Sequence, residues 1–113
     1  MSTPAVWAAR AACCDLVQQG ADAVDAGHAE AFAALFTPDG SLQRPDGTVL
    51  QGRAAIAAAY ARDPDRLTQH LVCNQNVDFD AQATGAMVRS KVLLWSGRHS
   101  SPLTPQGLSL IHI

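Results

Sequence analysis

Apolar positions along the first quarter of the chain fall at Val6, Cys13, Leu16, Val17, Gly20 and Val24, in steps built from three and four residues. That period predicts an amphipathic helix from Val6 to about Ala26, stopped at Gly27. The stretch HAEAFAALF predicts a second, short helix that sets Phe32, Leu35 and Phe36 on one side before TPDG ends it. In SLQRPDGTVLQG two short extended pieces flank PDG, the pattern of a hairpin. RAAIAAAYARDP is strongly helix-forming and is closed by Pro64. Two longer extended runs, about Leu67 to Asp80 and Ala83 to Gly97, are joined by a tight turn near DAQA.

The order helix, helix, hairpin, helix, long antiparallel strands predicts an α+β fold with the helices on one face of a bent sheet. Alternation along RLTQHLVCNQNVDFD sets His70, Val72, Asn74, Asn76 and Asp78 on one face of its strand. Leu71, Cys73, Gln75, Val77 and Phe79 then form the other, more core-like face. A bulge between Cys73 and Gln75 would reverse the second half, and the pattern alone leaves both arrangements open.

Composition narrows the class. A chain of 113 residues makes one domain. Its apolar fraction is 48% but its aromatic content only 5%, so small side chains build most of the core and internal space for a ligand is expected. The net charge of −2 comes with scattered Lys and Arg, which argues against nucleic acid as a partner. No apolar run approaches the ~20 residues of a membrane span, and the N-terminus lacks the charged start and apolar stretch of an export signal. A cytoplasmic location, with no membrane partner, is the expectation. Cys13, Cys14 and Cys73 form no CxxC pair, and adjacent cysteines on a helix diverge by about 100°. Reduced structural thiols, with no metal and no cofactor, are expected.

The tail is read separately. RHSSPLTPQG is turn-rich and polar, and LSLIHI follows abruptly, with the pattern of a short terminal strand. LSLIHI is also the in-frame translation of the transposon-end adapter CTGTCTCTTATACACATC used in short-read library preparation. The expectation is therefore a domain over residues 1–107 that is incomplete at its C-terminus, with residues 108–113 an adapter-derived tail.

The acidic helix end DAGHAEAF, the phrase ALFTPDG, the G-RAAI start of the third helix and H-L-V-x-N on the following strand come in one order over roughly residues 12 to 95. In that order and spacing the chain resembles the SnoaL-like group of the nuclear transport factor 2-like superfamily. The resemblance implies a cone in which a strongly curved antiparallel sheet wraps against three helices and leaves an apolar pocket at the wide end. It implies a small-molecule ligand, often a homodimer through the outer sheet face, and closing strands after Trp95 and a turn, where this chain has only a short tail; those closing strands are expected to be missing. Members include dehydratases, isomerases, polyketide cyclases, epoxide hydrolases and non-catalytic subunits, so fold alone does not assign the reaction.

Within that superfamily the chain is similar to scytalone dehydratase, whose helix-end acid matches Asp25 and whose T-Q-H segment matches Thr68, Gln69 and His70. The resemblance implies His70 as acid/base and Asp25 as the group that orients it, chemistry suited to a residue that titrates near neutrality. The departures are Val24 where that enzyme has a tyrosine, and no second histidine near Leu94. Ketosteroid isomerase is also similar, but Arg44 replaces its proton-abstracting aspartate and Gly20 its oxyanion tyrosine. Asn74, Tyr60, Phe36 and Val24 are the expected substrate-binding residues. The reading is a cofactor-independent lyase or isomerase acting on a small, partly apolar organic molecule. The alternatives are a ligand-binding module without chemistry, or an accessory subunit like the small subunits of ring-hydroxylating dioxygenases.

Overall fold

The computed structural model describes the backbone of residues 3–82 and 84–112, and the side chains of these residues up to Ser100. Helix α1 runs from Pro4 to Asp25, with Thr3 as its N-cap accepting the Val6 N–H at 3.2 Å and a proline in its first turn. Gly27, at φ 75°, makes the sharp corner that ends α1. Helix α2 (Ala29–Ala34) follows. Strands β1 (Ser41–Gln43) and β2 (Val49–Gln51) pair as the expected hairpin, with Leu42 opposite Leu50. Gly52 then enters α3 (Arg53–Tyr60) at φ 84°, a conformation that suits glycine.

The second sheet has the order β3-β4-β5, all antiparallel. Strand β3 spans Arg66–Phe79 and β4 spans Ala86–Arg98. Asp80 closes the turn between them, accepting the Thr84 N–H at 2.8 Å. Strand β5 (Ser101–His112) pairs along β4. The stretch from 101 to 107, expected as a turn-rich tail, is thus extended. Pairing gives the second edge of β4 its backbone partners. The prolines are accommodated because β5 is an edge strand whose register slips between Leu94 and Trp95, the latter opposite Pro105. Residues 108–112 contribute backbone to β5. Their side chains, and Ile113, lie outside the described residues, and with them the reading of an adapter-derived tail.

Strand β3 contains the bulge that alternation left open. The register shifts between Cys73 and Asn76, and Asn74 has φ 53°. Thr68, His70 and Val72 face inward before it, and Gln75, Val77 and Phe79 after it. Leu71 and Cys73, placed by simple alternation on the core-like face, are exposed. On β4, buried Val88, Ser90 and Val92 alternate with exposed Met87, Arg89, Lys91 and Leu93.

The apolar core forms two clusters. Phe32, Ala33, Ile56 and Ala57 make one, joined by Ala23, Val24, Phe36, Leu42, Leu50 and Tyr60. Val17, Val77 and Val88 make the other, joined by Cys13, Cys14, Val72 and Phe79. Arg10 straps α1 to β3 by donating to the Val77 carbonyl at 3.0 Å, with its guanidinium carbon 5.6 Å from the centre of the Phe79 ring. Cys13, Cys14 and Cys73 are free thiols. Among the described residues no helix is long and apolar enough to cross a membrane.

Candidate active site

Strand β3 is an edge of its sheet, so part of its backbone has no strand partner and must bond elsewhere. The end of α1 supplies that partner. Asp25, the last residue of α1, accepts the main-chain N–H of His70 on Oδ2 at 2.8 Å. Its Oδ1 lies 2.5 Å from His70 Nδ1 and also accepts the Thr68 hydroxyl at 3.0 Å. A carboxylate at a helix C-terminus opposes the helix dipole by about 0.3–1 kcal/mol, and three converging donors offset that cost.

This geometry fixes which ring nitrogen of His70 is free. A carboxylate only accepts, so the hydrogen between the two groups belongs to Nδ1 and the lone pair to Nε2. This is the form in which an imidazole can take up a proton. The His70 and Asp25 side chains are 19% and 14% exposed, so little water competes for the bond.

The other residues expected at the site divide. Val24 precedes Asp25 and packs with Phe36 and Tyr60 against the first core cluster. Phe36 meets Phe32 edge-on at 5.3 Å between ring centres, and Tyr60 lies tilted against Phe32 at 4.7 Å. The Arg44 guanidinium sits 5.7 Å from the Tyr60 ring. Burial pushes the Tyr60 phenol up, and the Arg44 charge works against that. Asn74 is not brought to the site. It is the exposed bulge residue, outside the row that contains His70. Leu94 stands opposite His70 on β4, where the dehydratase resemblance called for a second histidine.

Two residues of the surrounding network went unassigned in the sequence reading. Thr68 is 3% exposed and bonded to Asp25; its place two residues before His70, on the same strand face, was the signal for it. Arg62, in the connection after α3, donates to Thr68 and to the Val24 carbonyl, and nothing in the local pattern marks it. A shallow groove of about 440 Å³ between α2 and α3, lined by Ala33, Ala34, Ala57 and Ala58 with Glu30 and Arg53, contains neither His70 nor Asp25. Among the described residues no group of three His, Cys, Asp or Glu could hold a metal ion.

Solved structures share this architecture. ActVI-ORFA from Streptomyces coelicolor is 17% identical, with a TM-score of 0.76 over 90% of this chain and 80% of that one. A candidate dehydratase of the NTF2-like family from Streptomyces avermitilis is 22% identical, with a TM-score of 0.72 over 97% and 84%. A candidate scytalone dehydratase from Novosphingobium aromaticivorans is 24% identical, with a TM-score of 0.67 over 87% and 64%. At these identities the likeness establishes the fold. No match among curated proteins reaches significance. The model of the SnoaL-like domain matches residues 5–108, nearly the whole chain, and the protein therefore belongs to the SnoaL-like family, within the NTF2-like fold class that includes polyketide cyclases and dehydratases.

Proposed function

We propose that this protein is a lyase or isomerase that works by side-chain acid–base chemistry on a small, partly apolar organic molecule. His70 is the acid/base and Asp25 its orienting partner. The observation that carries the reading is the double grip of one carboxylate on both the ring and the backbone of His70, at 2.5 and 2.8 Å. Held this way, Nε2 would remove a proton next to an electron-withdrawing group and return it to a departing hydroxyl or to a neighbouring carbon. Val24, Phe36 and Tyr60 supply apolar surface beside α1's end, suited to the body of such a substrate.

The test is turnover of a panel of β-hydroxy carbonyl compounds and ring enones by the wild-type protein and by His70→Gln and Asp25→Asn. General acid–base catalysis contributes about 10²–10⁴-fold, so His70→Gln should lose about that much while keeping its folded spectrum. Full activity in His70→Gln would remove the assignment.

Leu94 favours a second reading, because a leucine opposite His70 cannot assist proton transfer. In that reading the chain binds its ligand without changing it. Recovery of a tightly bound molecule unaltered after denaturation would decide for it. For either function we place a homodimer contact on the outer face of β3 and β4, where the cross-strand pair Leu71 and Leu93 is 51% and 36% exposed. Sedimentation of wild-type and Leu71→Lys protein tests this.

A further inference from the structure

The hydrogen bonds of Arg62 go to neither His70 nor the carboxylate, yet its Nη2 ends a chain of hydrogen bonds that reaches both. It donates to the Val24 carbonyl and, at 3.1 Å, to Thr68 Oγ1. Thr68 bonds in turn to Asp25 Oδ1 at 3.0 Å, and Asp25 to His70 Nδ1. A guanidinium has donors only and a carboxylate acceptors only. With Arg62 donating to its oxygen, the one hydroxyl hydrogen of Thr68 can serve only Asp25. The chain therefore has a single sense, Arg62 to Thr68 to Asp25, with His70 donating from the other side.

We infer that Arg62 is a positioning residue of the site. It turns the Thr68 hydroxyl toward Asp25 and ties the end of α1 to β3, and so holds the carboxylate at the place where it fixes the His70 tautomer. The inference rests on the reading of His70 and Asp25 as the reacting pair and extends it to a third and a fourth side chain. Arg62 has two separable duties. The bond to the Val24 carbonyl supports the helix end, whereas the bond to Thr68 acts on the pair. A purely structural arginine would need only the first.

The experiment is nitrogen-15 NMR of the histidine rings in the whole chain, without substrate, at a pH where the rings are neutral. His70 is assigned by the signal lost in His70→Gln. Wild-type protein should show His70 protonated at Nδ1 alone. Arg62→Met and Thr68→Val should each lose that single pattern and give averaged ring shifts. Thr68→Ser, which keeps the hydroxyl, should retain it, and the double variant Arg62→Met/Thr68→Val should be no worse than either single change. An unchanged His70 pattern in folded Arg62→Met overturns the inference, as does an unchanged pattern in Thr68→Val. If Arg62→Met fails to fold, the Thr68→Val and Thr68→Ser pair decides in the same way. Asp25→Ala, which removes the acceptor, is the separate control, because an unchanged tautomer there defeats the pair itself rather than the part played by Arg62.

Discussion

Gln75 faces the same side of β3 as His70, although four residues lie between them and regular alternation would set the two on opposite faces. Asn74 absorbs the extra step by standing at φ 53°, a left-handed conformation that asparagine tolerates and β-branched residues do not. Asn74→Val should therefore cost about 2 kcal/mol, and Asn74→Gly should be neutral or stabilising by a few tenths. Urea denaturation of the two variants measures this, and equal stability would mean that the bulge is not held by this residue.

Asp25 gathers three donors at the junction of α1 and β3. Removing the acceptor strands all of them in a partly buried place. Asp25→Ala should lose about 2–3 kcal/mol, more than His70→Ala, which leaves Thr68 and its carboxylate partner in place. Chemical denaturation ranks the two, and a smaller loss for Asp25→Ala would contradict the network.

Thr68 and Ser90 are both buried hydroxyls on the second sheet, 3% and 2% exposed. Thr68 is bonded on both sides, whereas Ser90 Oγ has no hydrogen-bond partner among the described residues. An unsatisfied buried hydroxyl costs about 1–3 kcal/mol. Ser90→Ala should accordingly raise stability by about 1 kcal/mol and Thr68→Val should lower it by a similar amount. Opposite signs in thermal melts are the expected result.

At the far end of β4, Arg98 bridges Asp63 at 3.2 Å and Asp65 at 3.3 Å. The Asp65 backbone N–H, then Arg98, hold the Asp63 carboxyl below its ordinary value, and the Ser100 hydroxyl, then Arg98, do the same for Asp65. Folded values below the unfolded ones mean stability that is present above pH 3.8 and lost as pH falls through the depressed folded values. The difference in urea midpoint between wild type and Asp63→Asn/Asp65→Asn should be largest near neutrality and vanish in acid. Added salt should shrink it, since these groups lie in water. A difference that persists at acid pH would show that the carboxylate charges are not its source.

The helices and the hairpin were legible because their signals are local: the three-and-four spacing of α1, the PDG turn, the alanine run of α3. Asp25 and His70 were legible as landmarks in order along the chain. What joins them was not. The bulge at Asn74 depends on how β3 meets β4, which alternation within one strand cannot show. Arg62 lies in a connection with no period, and its partners become neighbours only when α1 closes over β3. The first half of strand β5 was hidden by Pro102 and Pro105, which read as turn residues until the free edge of β4 is seen beside them.

Among the described residues α1 is the one element that packs into both core clusters, with Cys13, Cys14 and Val17 in one and Ala23 and Val24 in the other. It is a rod of about 33 Å shared by two separately packed bodies, with Asp25 at its tip. A molecule that enters beside His70 and presses the bodies apart or draws them together must load that rod. Amide hydrogen exchange along α1 should then report occupancy of the site from residues that never touch the ligand, and a screen for the unknown substrate could be read from that helix alone.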